Sequence, residues 1–475
     1  MVGYILGWML MLEGLLMLLP VLVSIIYKEK AGISYMIVAV ICCLIGFCLT
    51  RKKEERQALF AREGFVAVAM SWIVISIFGA IPFILSGEIP SIIDAIFESV
   101  SGFTTTGASV LDDIAVLSNT SLFWRSFTHW IGGMGVFILI LTVLPMAGGN
   151  NMHLMRAELP GPSVGKLVPR IKETAKILYT IYFSMTLLEI LVLLLIGTPL
   201  FDAITIAFGT AGTGGFAIKN SGLFEYSTEL RIVITVFMFL FGVNFHAYYL
   251  LYKGKVSTIF KMEEIRWYIG IVVFFAAIIT FTLYEVFGSI SEAFESAIFH
   301  TVSMITTTGY MATDFSVWPQ MPKNLLFILM FFGACAGSTA GSIKISRIII
   351  LLKAVKKEVN YFIHPNDVKV IKFNGRAVNQ ETINSVGMFL ITYAIIFASS
   401  LFFLSFDNLS IATNITAISV SLNNVGLGLE LLGSDASYSM FTPLSKIVLM
   451  FNMLAGRLEL YPILLLLSPK VWKKS

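Results

Sequence analysis

Long apolar runs recur along the chain between short polar connections, and that pattern predicts helices threaded through a bilayer. The first runs cover residues 4–26 and 33–50, and a charged stretch from Arg51 to Gly64 follows them. Beyond it the chain settles into four similar segments. Each has a long apolar run, a short amphipathic run ending in Thr, Gly or Asn, a polar connection and a second long run. The long runs fall at residues 65–86 and 121–145, 177–197 and 230–251, 267–287 and 324–355, and 382–404 and 440–468. Crossing about 30 Å of hydrocarbon takes about 20 helical residues, so ten spanning helices are expected, the second runs of the third and fourth repeats being longer and containing breaks. The short runs at 91–104, 200–209, 292–305 and 409–420 cannot cross and fit re-entrant half-helices. Run 4–26 has no basic leader and exceeds the apolar stretch of a secretory signal, so a retained helix is expected. The organisation that results is a two-helix extension over 1–64 and four repeats over 65–150, 151–260, 261–365 and 366–475.

Composition narrows the class. Of 475 residues, 57% are hydrophobic and 13% charged, with a mean hydropathy of +0.85. A soluble chain carries about a quarter of its residues as charge, so a soluble enzyme is excluded. A net charge of +4, from 33 Lys and Arg against 29 Asp and Glu, is too slight to suggest nucleic acid. Placement tells more. Residues 51–64, 146–176, 252–266, 344–376 and the tail after 469 hold 25 of the basic residues, the opposite connections seven, and Arg457 lies within a run. The positive-inside rule then puts both termini and the basic loops in the cytoplasm, with the half-helices entering from outside. Cys42, Cys43, Cys48 and Cys335 form neither a disulfide framework nor zinc-ligand spacing, and the five histidines are scattered. With no G-x-G-x-x-G between a strand and a helix, no nucleotide is expected on this chain.

The four short runs end alike. The copies read Thr105-Thr106-Gly107, Gly212-Thr213-Gly214, Thr307-Thr308-Gly309 and Asn424-Val425-Gly426, which aligns Gly107, Gly214, Gly309 and Gly426. Irregular backbone survives at membrane depth only where protein buries it or it lines a watery path. Successive carbonyl oxygens in such loops replace the hydration shell of a monovalent cation, and glycine supplies torsions that a Cβ opposes. The competing reading is that Thr and Gly are small residues for close helix packing; four copies placed on the same side argue against it. A binding site for a monovalent cation, made of backbone carbonyls, is therefore expected here. In the third repeat the second run is interrupted at residues 333–342, GACAGSTAGS, where Gly333, Gly337 and Gly341 with Ala336, Ser338 and Thr339 disfavour a regular helix. A flexible intramembrane loop or a packing kink would result.

Arg457 is costly within a span and should face a cavity or a partner; Glu459, two residues on, lies on another helix face. Glu98 and Glu295 are placed as equivalents in the first and third short runs, where they bond to loop backbone or else contact the ion directly. His129 and His246 are expected to pack at helix ends. Glu189 is either a hydrogen-bonded structural carboxyl or a coupling acid. Asp112, Asp113, Asp314, Glu430 and Asp435 flank the loops, where they would concentrate cations or simply be solvated.

Nearly the whole chain resembles the Trk/Ktr/HKT superfamily of cation transporters, its bacterial Trk branch in particular. The likeness rests on FESVSGFTTTGAS from Phe97, HWIGGMGVFILILTVLP from His129, GTGGFA from Gly212, ITTTGY from Ile305, GACAGSTAGSIKISR from Gly333, SLNNVGLG from Ser421 and MLAGRLELYP from Met453. What it implies is an all-α polytopic protein with four helix–pore-loop–helix repeats around one pseudo-fourfold pore. It further implies a potassium-selective uptake subunit of the bacterial inner membrane, gated beneath its filter by the 333–342 loop with Arg457. The expected partners are a second copy of the chain and a cytoplasmic RCK-type, TrkA-like nucleotide-binding subunit, docked on basic surfaces that anionic membrane lipid also suits. An ion-coupled (H+ or Na+) symporter or a less selective monovalent cation transporter is the alternative. The chain departs from the family at His300, where a neutral polar residue is usual, and at Gly341-Ser342, which stands in place of a more Gly-rich run.

Overall fold

The structure is a computed structural model that describes residues 2–51, 61–135, 171–366, 369–433 and 437–472. Its described residues are overwhelmingly helical. Two strand pairs of two residues each complete them: Phe332–Gly333 parallel to Ile343–Lys344, and Lys372–Phe373 antiparallel to Arg376–Ala377. Exposed Leu, Ile and Phe side chains along the long helices form the apolar exterior of an integral membrane protein.

Among the described residues six helices are long and apolar enough to cross a bilayer: Val2–Tyr27, Gly32–Arg51, Glu63–Ser86, Ala175–Leu195, Glu263–Phe287 and Gln380–Asp407. The first two are the N-terminal extension. They approach closely because each has a glycine at the crossing: a Cβ on Gly7 would lie 2.8 Å from the Gly46 carbonyl oxygen, and one on Gly46 2.5 Å from that of Gly7. The other four open the repeats.

Breaks are expected in the second runs of the third and fourth repeats, and the structure extends them to the second run of every repeat. Among the described residues these runs are interrupted within their length, because each carries glycine, polar or left-handed positions inside its apolar sequence. The first forms Asn119–Gly133 and then Gly135 turns to φ 76°; the remainder of that expected span lies outside the described residues. The second bends by 90° between Thr228–Phe241 and Phe245–Tyr252. In the third, Gln320–Leu329 and Ile345–Ile363 are parted by a buried loop pinned at its base by the Phe332–Ile343 bridge. The fourth ends at Arg457, and Glu459 and Leu460, at φ 55° and 70°, precede Tyr461–Leu466.

The four short helices are present where expected, as Ile92–Phe103, Leu200–Gly212, Ile290–Ile305 and Ile411–Asn423. Hydroxyl caps start the helices after the loops: Ser118 accepts from the Ser121 amide at 3.3 Å, Ser227 from Leu230 at 3.3 Å and Thr442 from Ser445 at 3.5 Å.

The N-terminal extension is fastened to the first of these helices by a carboxylate. Glu29, in the turn between the extension's helices, accepts from the Asn119 amide (2.9 Å) and side chain (3.0 Å) and from the Thr120 amide (2.9 Å) and hydroxyl (2.6 Å). Burial alone would raise its pKa, but the bonds from Thr120 and Asn119 outweigh it and hold the carboxyl below the usual carboxylate range. A lowered folded pKa means that the stabilisation is complete above the ordinary value and is lost as pH falls through the lowered one. Thermal unfolding in detergent, scanned downward from pH 7, should therefore show an acid-dependent loss of stability that is smaller in Glu29→Gln. Parallel curves for the two proteins would refute the carboxylate's role.

Candidate ion pathway

Each short helix closes in the same way. The Thr106 amide donates to Ser101 O (2.9 Å), Gly214 to Gly209 O (2.9 Å), Thr308 to Ser303 O (2.9 Å) and Val425 to Val420 O (3.1 Å). These are the wide bonds of a Schellman ending, and they need a left-handed residue just before the donor. That residue is Thr105 (φ 54°), Thr213 (54°), Thr307 (56°) and Asn424 (54°). A β-branched residue in this region is strained by about 1–3 kcal/mol, so three threonines held there mark backbone that the surroundings over-determine.

Two residues later comes a second left-handed position: Gly107 (φ 83°), Gly215 (72°), Gly309 (76°) and Gly426 (83°). This corrects the register of the second copy by one residue. Its equivalent triplet is Thr213-Gly214-Gly215, and Gly212 ends the short helix, where it packs on the His129 carbonyl. The four glycines interlock around a closed ring. A Cβ on Gly107 would overlap the carbonyl oxygen of Gly214, one on Gly215 that of Thr308, one on Gly309 that of Val425 and one on Gly426 that of Thr106. Repeats one and three lie opposite each other in this ring and share one further detail. Thr104 bonds Thr106 at 2.8 Å and Thr306 bonds Thr308 at 2.8 Å through their hydroxyls, whereas the corresponding pairs Gly212/Gly214 and Asn423/Val425 have none.

The loop of the third repeat lies against this ring. Gly341 donates its amide to the Thr307 hydroxyl at 2.7 Å. Ala336 donates to Glu264 at 2.7 Å, the Phe245 amide donates to Gly337 O at 3.0 Å, and Cys335 donates to Gly242 O at 3.1 Å. Ser338 closes a local turn onto Cys335 O at 2.6 Å, Thr339 reaches Phe241 O at 3.4 Å, and Gly333 pairs with Lys344 at the loop's base. Lys344 turns its ammonium to the carbonyls of Ala340 and Gly341. Arg457 spans the space below. Its guanidinium donates to Thr339 O at 2.9 Å, to Gly133 O at 2.8 Å and to Gly132 O. Glu459 pairs with Arg347. The residues singled out in the third and fourth repeats are thus brought together, and backbone carbonyls meet the arginine's need for partners.

A buried ion pair went unrecognised in the sequence. Glu98 and Arg125, 1% and 2% exposed, pair through Arg125 Nε and Nη2 at 2.7 and 2.6 Å. Glu98 also accepts from the Val110 amide at 3.1 Å, in the chain leaving the first triplet, while the guanidinium stacks 4.0 Å above Phe216 of the second repeat. One turn on, His129 stacks 4.2 Å from the same ring. His129, four residues before the end of Asn119–Gly133, packs against Phe216 and Gly214, and His246 sits at the start of Phe245–Tyr252. Seven residues before Thr105 stands Glu98, and seven before Thr307 stands His300. The alignment of Glu98 with Glu295 is therefore wrong: Glu295 lies more than a helical turn earlier and pairs with Arg231 at 2.9 Å. Unpairing a buried charge costs about 3–5 kcal/mol, so Glu98→Gln should lower the midpoint of thermal unfolding strongly, and Glu98→Gln with Arg125→Gln should recover part of the loss. A single variant as stable as the parent would contradict this.

On the face where the short helices begin, Asp112 accepts from Ser439 at 2.7 Å and Asp113 from Asn220 at 2.7 Å. Bonds from Ser437 and Ser439 hold Asp112, and bonds from Asn220 and Ala115 hold Asp113, below the usual carboxylate range. Both join neighbouring repeats. Asp435 lies outside the described residues. Glu189 is fully buried against Thr210 of the second short helix.

The TrkH sequence model, described as "Cation transport protein", matches residues 32–474. The Trk system potassium uptake protein TrkH of Salmonella typhimurium is 35% identical over 479 residues, covering 99% of this chain and 98% of the relative. TrkG of Escherichia coli is 32% identical, with 99% and 98% covered. The crystal structure of the potassium transporter TrkH from Vibrio parahaemolyticus superposes with a TM-score of 0.89 at 32% identity, covering 99% of both chains.

Proposed function

Because this chain belongs to the TrkH family of cation transport proteins, we propose that it is the potassium-conducting membrane subunit of a K+ uptake system. The observation that carries the reading is the closed ring of four interlocked carbonyl–glycine contacts. Its walls are Thr105-Thr106-Gly107, Thr213-Gly214-Gly215, Thr307-Thr308-Gly309 and Asn424-Val425-Gly426, whose carbonyls would replace the water around K+. The short helices end at the ring, so their C-terminal partial negative charge favours a cation there. The 333–342 loop and Arg457 form the gate: the loop blocks the way beneath, and the guanidinium opposes a passing cation.

Both termini lie in the cytoplasm of a bacterial inner membrane, as the basic loops require, and uptake follows the membrane potential at about 2.3 kcal/mol per charge per 100 mV. A homodimer binds a TrkA-like nucleotide-binding subunit on the cytoplasmic face, the named Trk systems of the relatives supporting a multicomponent assembly. The coupled-symport alternative draws on the buried carboxyl of Glu189, which the carbonyl pathway does not use.

The test is flux through the purified chain in liposomes under an imposed potential. K+ and Rb+ should pass well ahead of Na+, without need of a proton gradient. Equal K+ and Na+ flux would overturn the filter, and flux that vanishes with the proton gradient would favour symport.

A further inference from the structure

Ser342 occupies a backbone position made for glycine. Its φ is 59°, in the left-handed region, where a side chain is disfavoured unless local bonds compensate. Two bonds do so. Its hydroxyl donates to Met330 O at 2.7 Å, at the end of the helix entering the loop, and approaches Asn423 Oδ1 at 3.3 Å. Asn423 is the last residue of the fourth short helix and directly precedes the strained Asn424. The same Oδ1 accepts from the Tyr393 hydroxyl at 3.0 Å, so Asn423 is held from the outer helix and from the loop together. Next to Ser342, Gly341 is seated on the third repeat through Thr307, and a Cβ at Gly341 would lie 2.5 Å from the Asn423 carbonyl oxygen.

We propose that Ser342 is a latch: a positioning residue whose hydroxyl fastens the 333–342 loop to Asn423 and so holds the pathway shut beneath the third and fourth repeats. The loop's other fastenings use its backbone, the Lys344 ammonium, local turns or the longer bond of the Thr339 hydroxyl to Phe241 O. Ser342 lends a side-chain hydroxyl that can let go without unfolding the loop's base, which the Phe332–Ile343 bridge keeps. The backbone strain at φ 59° is relieved when the loop lifts, so the latch sets a threshold for opening: strain favours release and the hydroxyl opposes it.

This inference rests on the gated-pore reading, and the experiment separates the two. K+ and Na+ efflux is measured from liposomes holding the full chain without any partner subunit, for wild type, Ser342→Ala, Ser342→Gly and Tyr393→Phe. Ser342→Ala keeps the strain and loses the hydroxyl, and its resting K+ leak should rise roughly three- to tenfold with the K+/Na+ ratio unchanged. Ser342→Gly loses both and should leak less than Ser342→Ala but more than wild type; it also carries the test should the alanine variant fail to fold. Tyr393→Phe should raise the leak less, and combining it with Ser342→Ala should give less than the product of the two, because both act on Asn423. K+-selective wild-type flux with unchanged leak in both Ser342 variants overturns the latch alone. A changed K+/Na+ ratio with no extra leak also overturns it, by placing Ser342 in the filter. Absence of K+ flux from wild type and every variant overturns the pore reading itself.

Discussion

Gly309→Ser should reduce the preference for K+ over Na+ at least about tenfold while leaving a folded, conducting protein. Two effects add at this position. The backbone sits at φ 76°, where a side chain is strained by about 1–3 kcal/mol. The added Cβ would also overlap the Val425 carbonyl oxygen, so the ring must shift at its third and fourth walls together. Each 1.4 kcal/mol of lost discrimination is a factor of ten, so relief of this strain by carbonyl displacement is enough for the predicted change. Flux ratios of K+, Rb+ and Na+ in liposomes measure it. A ratio equal to that of wild type would mean that these carbonyls do not select the ion.

Arg457→Ala should open the pathway at rest. The guanidinium ties Thr339 of the loop to Gly132 and Gly133 of the first repeat, and hydrogen bonds to a charged group contribute about 1.5–3 kcal/mol each. Losing the tie frees the loop, and losing the charge lowers the barrier to a cation below the ring. Resting K+ leak should rise by about tenfold or more. Arg457→Lys retains charge but cannot reach three carbonyls with a planar fork, so it should leak at an intermediate level. Wild-type leak in both variants, with normal folding, would remove Arg457 from the gate.

The helix count was legible only where length and composition agreed. The six long spans and the four short helices follow from apolar lengths against about 30 Å of hydrocarbon. The interrupted second runs of the first two repeats did not, because Gly133 or Gly242-Val243-Asn244 within an apolar stretch barely changes its hydropathy; the break depends on tertiary contacts. The ring was legible in three of its walls. In the second, Gly212-Thr213-Gly214-Gly215 offers three glycines, and only backbone torsions distinguish the one that meets the next carbonyl. The pairing of Glu98 with Glu295 failed for a related reason: counting back from Thr105 and Thr307 reaches Glu98 and His300, a signal that the sequence did contain. Nothing in the sequence linked Arg125 to Glu98 and Phe216, since the pair joins two helices of one repeat and a loop of the next.

Drawing all four walls from one chain has a consequence for how the pore tolerates change. In a ring assembled from four identical subunits, one codon alters every wall at once. Here a substitution at Gly309 acts on its own wall and on the fourth, while the contact of Gly107 with Gly214, between the first and second walls, involves neither. Mutation can therefore be graded, a quarter of the ring at a time, and the walls are free to diverge. The paired hydroxyls of Thr104/Thr106 and Thr306/Thr308 show walls that already differ: one diagonal of the ring carries a bond that the residues at the matching positions of the other have no hydroxyls to form.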